Sequence, residues 1–180
     1  MFKHILFPTD GTPASRHAAE VCIRFAARVG ARVTALLVVP PPPLITWEAA
    51  VPGEIDQIYR NQLDARTKES LAPVEALAQQ AGVGCKAMVV QNREPYEAII
   101  DTAHDEMCDL IAMASHGRRG MKALLLGSQT QRVLTHSAIP VLVLREPALP
   151  AVQPTDAAVA NSRVRVNASP RRRGPPGGPA

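Results

Sequence analysis

An open, doubly wound α/β sheet of five parallel strands, with helices on both faces, is the fold this sequence predicts. Three observations predict it. Short apolar runs recur along the chain, helically spaced segments alternate with them, and the strand–helix–strand order is set within the first 39 residues. Strands joined in that order run parallel, and their crossovers are right-handed.

Residues 2–8, FKHILFP, form an apolar run that stops at Thr9-Asp10-Gly11, as a buried strand feeding a turn does. Thr12 before Pro13 reads as a helix N-cap with proline in the first turn. Ala18, Val21, Cys22, Phe25, Ala26 and Val29 follow at helical spacing, and Gly30 closes the helix. The second strand, ARVTALLVV, is halted by Pro40 to Pro43, which open a proline-rich loop over residues 40–53. A long helix over residues 54–80 follows, with a break or kink at Pro73. CKAMVVQ is the third strand. Pro95 opens a helix with Tyr96, Ile99, Ile100 and Ala103 on one face, and CDLIAMA is the fourth strand. A helix from Gln129 to about His136 leads through Ile139-Pro140 to the last strand, VLVL.

Composition narrows the function. Hydrophobic residues are 46% of the 180 and aromatics only 3%, so the core is aliphatic and the chain reads as a soluble protein. No apolar run approaches the ~18 residues of a membrane span, and the start lacks a secretory pattern, so a cytoplasmic protein is expected. Cys22, Cys85 and Cys108 sit far apart in apolar surroundings and read as buried reduced thiols. The histidines at 4, 17, 104, 116 and 136 show no paired spacing, and no metal site is expected. Residues 1–146 read as the folded domain. Beyond it, residues 147–180 are rich in Pro, Gly and Arg and read as a disordered tail. Three of the four net positive charges belong to the residues after Arg145, so a nucleic-acid partner for the domain is not expected.

In such a sheet a ligand binds beyond the carboxyl ends of the strands, where strand order reverses. Pro8, Thr9, Asp10 and Gly11 should meet Ala114, Ser115, His116 and Gly117 there. Asp10 suits ribose hydroxyls, and equally suits turn chemistry before a helix. Neither GxxxxGK[ST] nor GxGxxG occurs after a strand, which removes the usual phosphate-loop and dinucleotide signatures. His116 beside Ser115 lacks a G-x-S-x-G elbow, and no catalytic residue is assigned.

Ala114-Ser115-His116-Gly117, nine residues, then Gly127-Ser128 resembles the ATP-binding signature of the universal stress protein family, G-x₂-G-x₉-G-[S/T]. PTDG, EPYEAII, CDLIAMASHGRRG, LLLGSQTQRVLTHS and IPVLVLR resemble that family in order and spacing over residues 1–145. The resemblance implies that Asp10, with Pro8 and Thr9, meets ribose and that Val38 meets adenine. Ala114, Ser115, His116, Gly117, Arg118, Gly127, Ser128 and Gln129 would then surround the phosphates. It implies ATP, alone or with Mg2+, as a regulatory ligand, with at most slow hydrolysis or autophosphorylation. It also implies a role in stress resistance and a homodimer through Val141, Leu142 and Val143.

The physics of the stretch supports an anion site. Glycines let amides approach, and a helix N-terminus favours negative charge. Ser128-Gln129-Thr130-Gln131 also matches the S-x-x-Q capping box, which would use Ser128 for the helix itself. Ala114 stands where the signature has glycine. Its methyl is accommodated at negative φ, or else crowds the ribose or α-phosphate. The alternative reading is an interaction or chaperone-like module of this family without nucleotide.

Overall fold

The computed structural model describes residues 1–42, 54–115 and 126–145, with side chains from residue 57 onward in the long helix. All of them lie in one unit, Met1–Pro147. The loop at 43–53, the stretch 116–125 and the tail from 146 lie outside the described residues. The order is β1 (His4–Pro8), α1 (Pro13–Val29), β2 (Arg32–Val39), α2 (Glu54–Gln80), β3 (Cys85–Gln91), α3 (Pro95–Asp105), β4 (Leu110–Ala114), α4 (Ser128–His136) and β5 (Val141–Leu144). The strands form one parallel sheet ordered β3-β2-β1-β4-β5. Strand order therefore reverses between β1 and β4.

Strand alternation splits the core in two. Ile5, Phe7, Val33, Leu37 and Ala112 face one side, where Ala18, Cys22 and Ala26 of α1 and Leu71, Val74 and Ala78 of α2 cover them. Leu6, Leu36, Ile111 and Met113 face the other side, under Ile99 and Ala103 of α3 and Val133 of α4. Burial on both faces explains why these strands read as continuous apolar runs.

The ends of α1 follow their residues. Thr12 Oγ1 accepts from the Ser15 amide at 3.3 Å, Pro13 occupies the first turn, and Gly30 closes the helix at φ 67°. Four expectations need correction. Of the break or kink expected at Pro73, the break does not occur: α2 continues through that residue. On α3 the buried stripe is Ala98, Ile99, Thr102 and Ala103, and Ile100 stays half-buried because the face turns toward β1 and β2. Cys22 and Cys108 are buried, but Cys85 opens an edge strand and is only half-buried. Finally, α4 begins one residue earlier than expected, at Ser128.

Candidate functional site

The turn after β1 is built from its own side chains. Asp10 Oδ1 accepts from the Thr12 amide at 3.1 Å and from Thr12 Oγ1 at 2.7 Å, closing an Asx turn. Thr9 Oγ1 pairs with Ser15 Oγ at 2.8 Å. Gly11 takes φ 77°, and a Cβ there would stand 2.6 Å from Ser70 Oγ. Only glycine fits both the backbone and the approach of α2. Asp10 holds the turn and also lines the cleft described next.

The other wall comes from β4 and α4. The Gly127 amide donates to Ser115 O at 2.8 Å, which joins the start of α4 to the residue after β4. Thr130, buried, donates from Oγ1 to Ala114 O at 3.0 Å and fastens the first turn of α4 to the end of β4. Gly127, at φ −60° and ψ 146°, is the N-cap, and no side chain caps the helix. The capping box expected from Ser128 is thus not formed, because Ser128 is already the first helical residue. The first intrahelical bond runs from the Gln131 amide to Gly127 O at 2.9 Å. The amides of Ser128, Gln129 and Thr130 precede it and form the electropositive end of the helix. Gln129 Oε1 accepts from the Tyr96 amide at 3.0 Å, capping α3 from a different helix and tying its start to the same place.

A cleft of ≈ 340 Å³ lies between these walls at the reversal of strand order. Pro8, Thr9 and Asp10 line it beside Leu36 and Val38 of β2. Pro95, Ile99 and Met113 form its apolar back, and Ala114 with Gly127, Ser128, Gln129 and Thr130 its polar side. Of the residues expected from the sequence, the structure brings together Pro8, Thr9, Asp10, Val38, Ala114, Gly127, Ser128 and Gln129. His116, Gly117 and Arg118 lie outside the described residues. Ser115 is placed otherwise: it is buried, and its amide donates to Leu144 O at 2.9 Å within the β4–β5 ladder. Ala114 has no positive φ, and its side of β4 faces the α1/α2 core. The methyl therefore needs no strained backbone.

Sequence reasoning missed Ser15, Arg66 and Thr130. Ser15 and Thr130 carried a weak signal, each a hydroxyl in the first turn of a helix. Arg66 carried none, since it sits mid-helix in α2, 56 positions from Asp10.

The architecture is a doubly wound α/β domain whose ligand-sized cleft sits at the switch point, beneath one helix N-terminus. The sequence pattern of the universal stress protein family matches residues 1–145, and the chain belongs to that family. Universal stress protein MJ0531 of Methanocaldococcus jannaschii is 31% identical over 147 residues, covering 82% of this chain and 84% of that protein. The solved structure of the hypothetical protein MJ0577 aligns with a TM-score of 0.68 at 30% identity, over 83% of this chain and 99% of the other. An Arabidopsis thaliana universal stress protein family protein, solved with AMP bound, shares the fold at a TM-score of 0.59 and 17% identity, over 83% and 97% of the two chains.

Proposed function

We propose that this chain binds an adenine nucleotide, ATP in the first instance, as a regulatory ligand and supports stress resistance through partner contacts. The observation that carries the reading is the convergence of Asp10 with the open amides of α4 in one cleft. Asp10 accepts from ribose hydroxyls, Val38 borders the base, and the amides of Ser128 and Gln129 meet phosphate. The Gly127 amide is held by Ser115 O, so Gly127 contributes the close backbone approach and not a donor. His116, Gly117 and Arg118 complete the phosphate side in this reading. The described residues offer no cluster of three or more metal ligands, so a Mg2+ arriving with the triphosphate would be held chiefly by phosphate oxygens and water. The AMP held by the Arabidopsis protein of the same fold agrees with this reading.

Titration calorimetry with ATP, after copurified nucleotide is stripped, tests it. Wild-type protein should bind, Gly127→Val should abolish binding, and Ala114→Gly should bind equally or more tightly. No heat and no thermal shift at millimolar ATP would overturn the reading and leave the nucleotide-free interaction module.

The homodimer is part of the same reading. β5 lies at the sheet edge, with Val141, Leu142 and Val143 half-buried. The Ile111 amide donates to Pro140 O and the Ser115 amide to Leu144 O, so the even positions of β5 face β4 and Val143 turns its backbone outward. Pairing with a second copy would satisfy those groups. Val143→Pro removes an outward donor while sparing the β4 ladder. It should sediment as a folded monomer, and an unchanged dimer would exclude β5 as the interface.

A further inference from the structure

Arg66 enters the cleft from the layer opposite its apolar back. Leu36, Val38, Ile99 and Met113 belong to the core under α3 and α4, whereas α2, which carries Arg66, covers the other face of the sheet. Ser70 lies one helical turn further along α2 and on the same face as Arg66. Its Oγ abuts the position of a Gly11 Cβ, which fixes this face of α2 against the Asp10-Gly11 turn. Arg66, one turn nearer the N-terminus of α2, therefore borders the cleft on the carboxyl side of the strand ends. α2 packs on β2 and β3, away from the α4 N-terminus, which is fastened to β4. The N-terminus of α4 and the helix that carries Arg66 thus border one cleft from different strands.

A nucleotide whose phosphates sit at α4 extends its base toward β2. There the apolar back supplies one flat-tolerant surface, and no aromatic ring is found among the described lining residues to supply the other. The planar, delocalised guanidinium of Arg66 is the group in place for that role, because guanidinium planes stack on π faces. We infer that Arg66 covers the exposed face of the bound purine, closing it against Val38 and Ile99. This rests on the nucleotide reading above and adds a base-recognition residue on α2 to it. The contact is with the base and not with the phosphates, so its contribution is independent of phosphate number.

Calorimetry of wild-type, Arg66→Ala and Arg66→Lys protein with ATP, AMP and adenosine tests this, with melting temperature as the control for folding. Arg66→Ala should weaken all three ligands by the same factor, roughly tenfold for a partly desolvated cation–π contact. Arg66→Lys keeps the charge but not the plane and should recover only part of the loss. A loss confined to ATP and AMP would overturn the inference by making Arg66 a phosphate contact. Unchanged affinities in Arg66→Ala would overturn it as well, while wild-type binding left the nucleotide reading standing. Failure of the wild-type chain to bind any of the three would overturn that reading, and this one with it.

Discussion

At the amino ends of the strands, polar side chains satisfy one another; at the carboxyl ends, part of the polar surface faces a cleft. His4, 5% exposed, bonds through Nε2 to Thr34 Oγ1 at 2.8 Å and through Nδ1 to Arg32 Nη2 at 3.0 Å. The guanidinium only donates, so Nδ1 accepts and the ring proton sits on Nε2. Asp109 accepts from the Lys3 and His4 amides at 2.7 and 3.0 Å, and Lys86 pairs with Glu106 at 2.7 Å. At the carboxyl ends, Thr9, Asp10, Thr12 and Ser15 hold a turn, yet the first amides of α4 still face the cleft. The difference follows from parallel topology, which points helix N-termini and their unsatisfied amides to the carboxyl side of the sheet. One end closes on itself; the other turns helix amides toward a cleft.

Matched glycine substitutions sharpen this contrast most. Gly11→Ala forces a side chain to φ 77° and into Ser70 Oγ, at the turn that carries Asp10. The left-handed backbone alone costs about 1–2 kcal/mol, and the overlap adds about as much again. The melting temperature should fall by roughly 5–15 °C. Gly84→Ala at the closed end meets only Arg32 Cβ at 3.8 Å, ordinary contact, and carries no positive φ. Its melting temperature should stay within about 2 °C of wild type. Thermal melts that placed the two variants together would show that the cleft turn is not the constrained one.

Much of the fold was legible because each local signal agreed with the next. CKAMVVQ is β3 to the residue, and Thr12-Pro13 with Gly30 bracket α1 as their capping chemistry dictates. Much of the site was legible too, since Asp10 and Gly127-Ser128 lie at element ends whose meeting the topology requires. What stayed hidden depends on packing between distant elements. Arg66 lines the cleft from α2, one turn from Ser70, which lies against the Gly11 turn. Gln129 caps α3 across 33 positions, which no local motif records. Ser128 looked like a cap because its sequence fits one. The Gly127–Ser115 bond instead sets the helix entry one residue earlier. His4 meets Thr34 and Arg32 through the pairing of β1 with β2.

The closed end also makes a smaller, pH-dependent prediction. Burial, and then the positive charge of Arg32, lower the pKa of His4 below its usual 6.5, against the opposing pull of Glu106 and Asp109. Below pH 6.5 the unfolded chain takes up a proton that the folded ring resists, so stability falls until the pH passes the folded value. Above 6.5 the contribution is complete. Asp109 titrates in a separate, more acidic window. Burial pushes its carboxyl up, but the amides of His4 and Lys3 outweigh that and hold it low. Glu106 is held low by its hydrogen bond from Lys86. His4→Gln can keep one donor and one acceptor yet does not titrate. Urea denaturation at pH 7.5, 6.5 and 5.5 should show wild type weakening toward acid and the variant nearly flat. ATP affinity at pH 7.5 should be the same in both, since His4 lies at the opposite end of the strand from Asp10. Parallel acid slopes would remove His4 as their source, and a loss of ATP affinity would show that the two ends of the sheet are coupled.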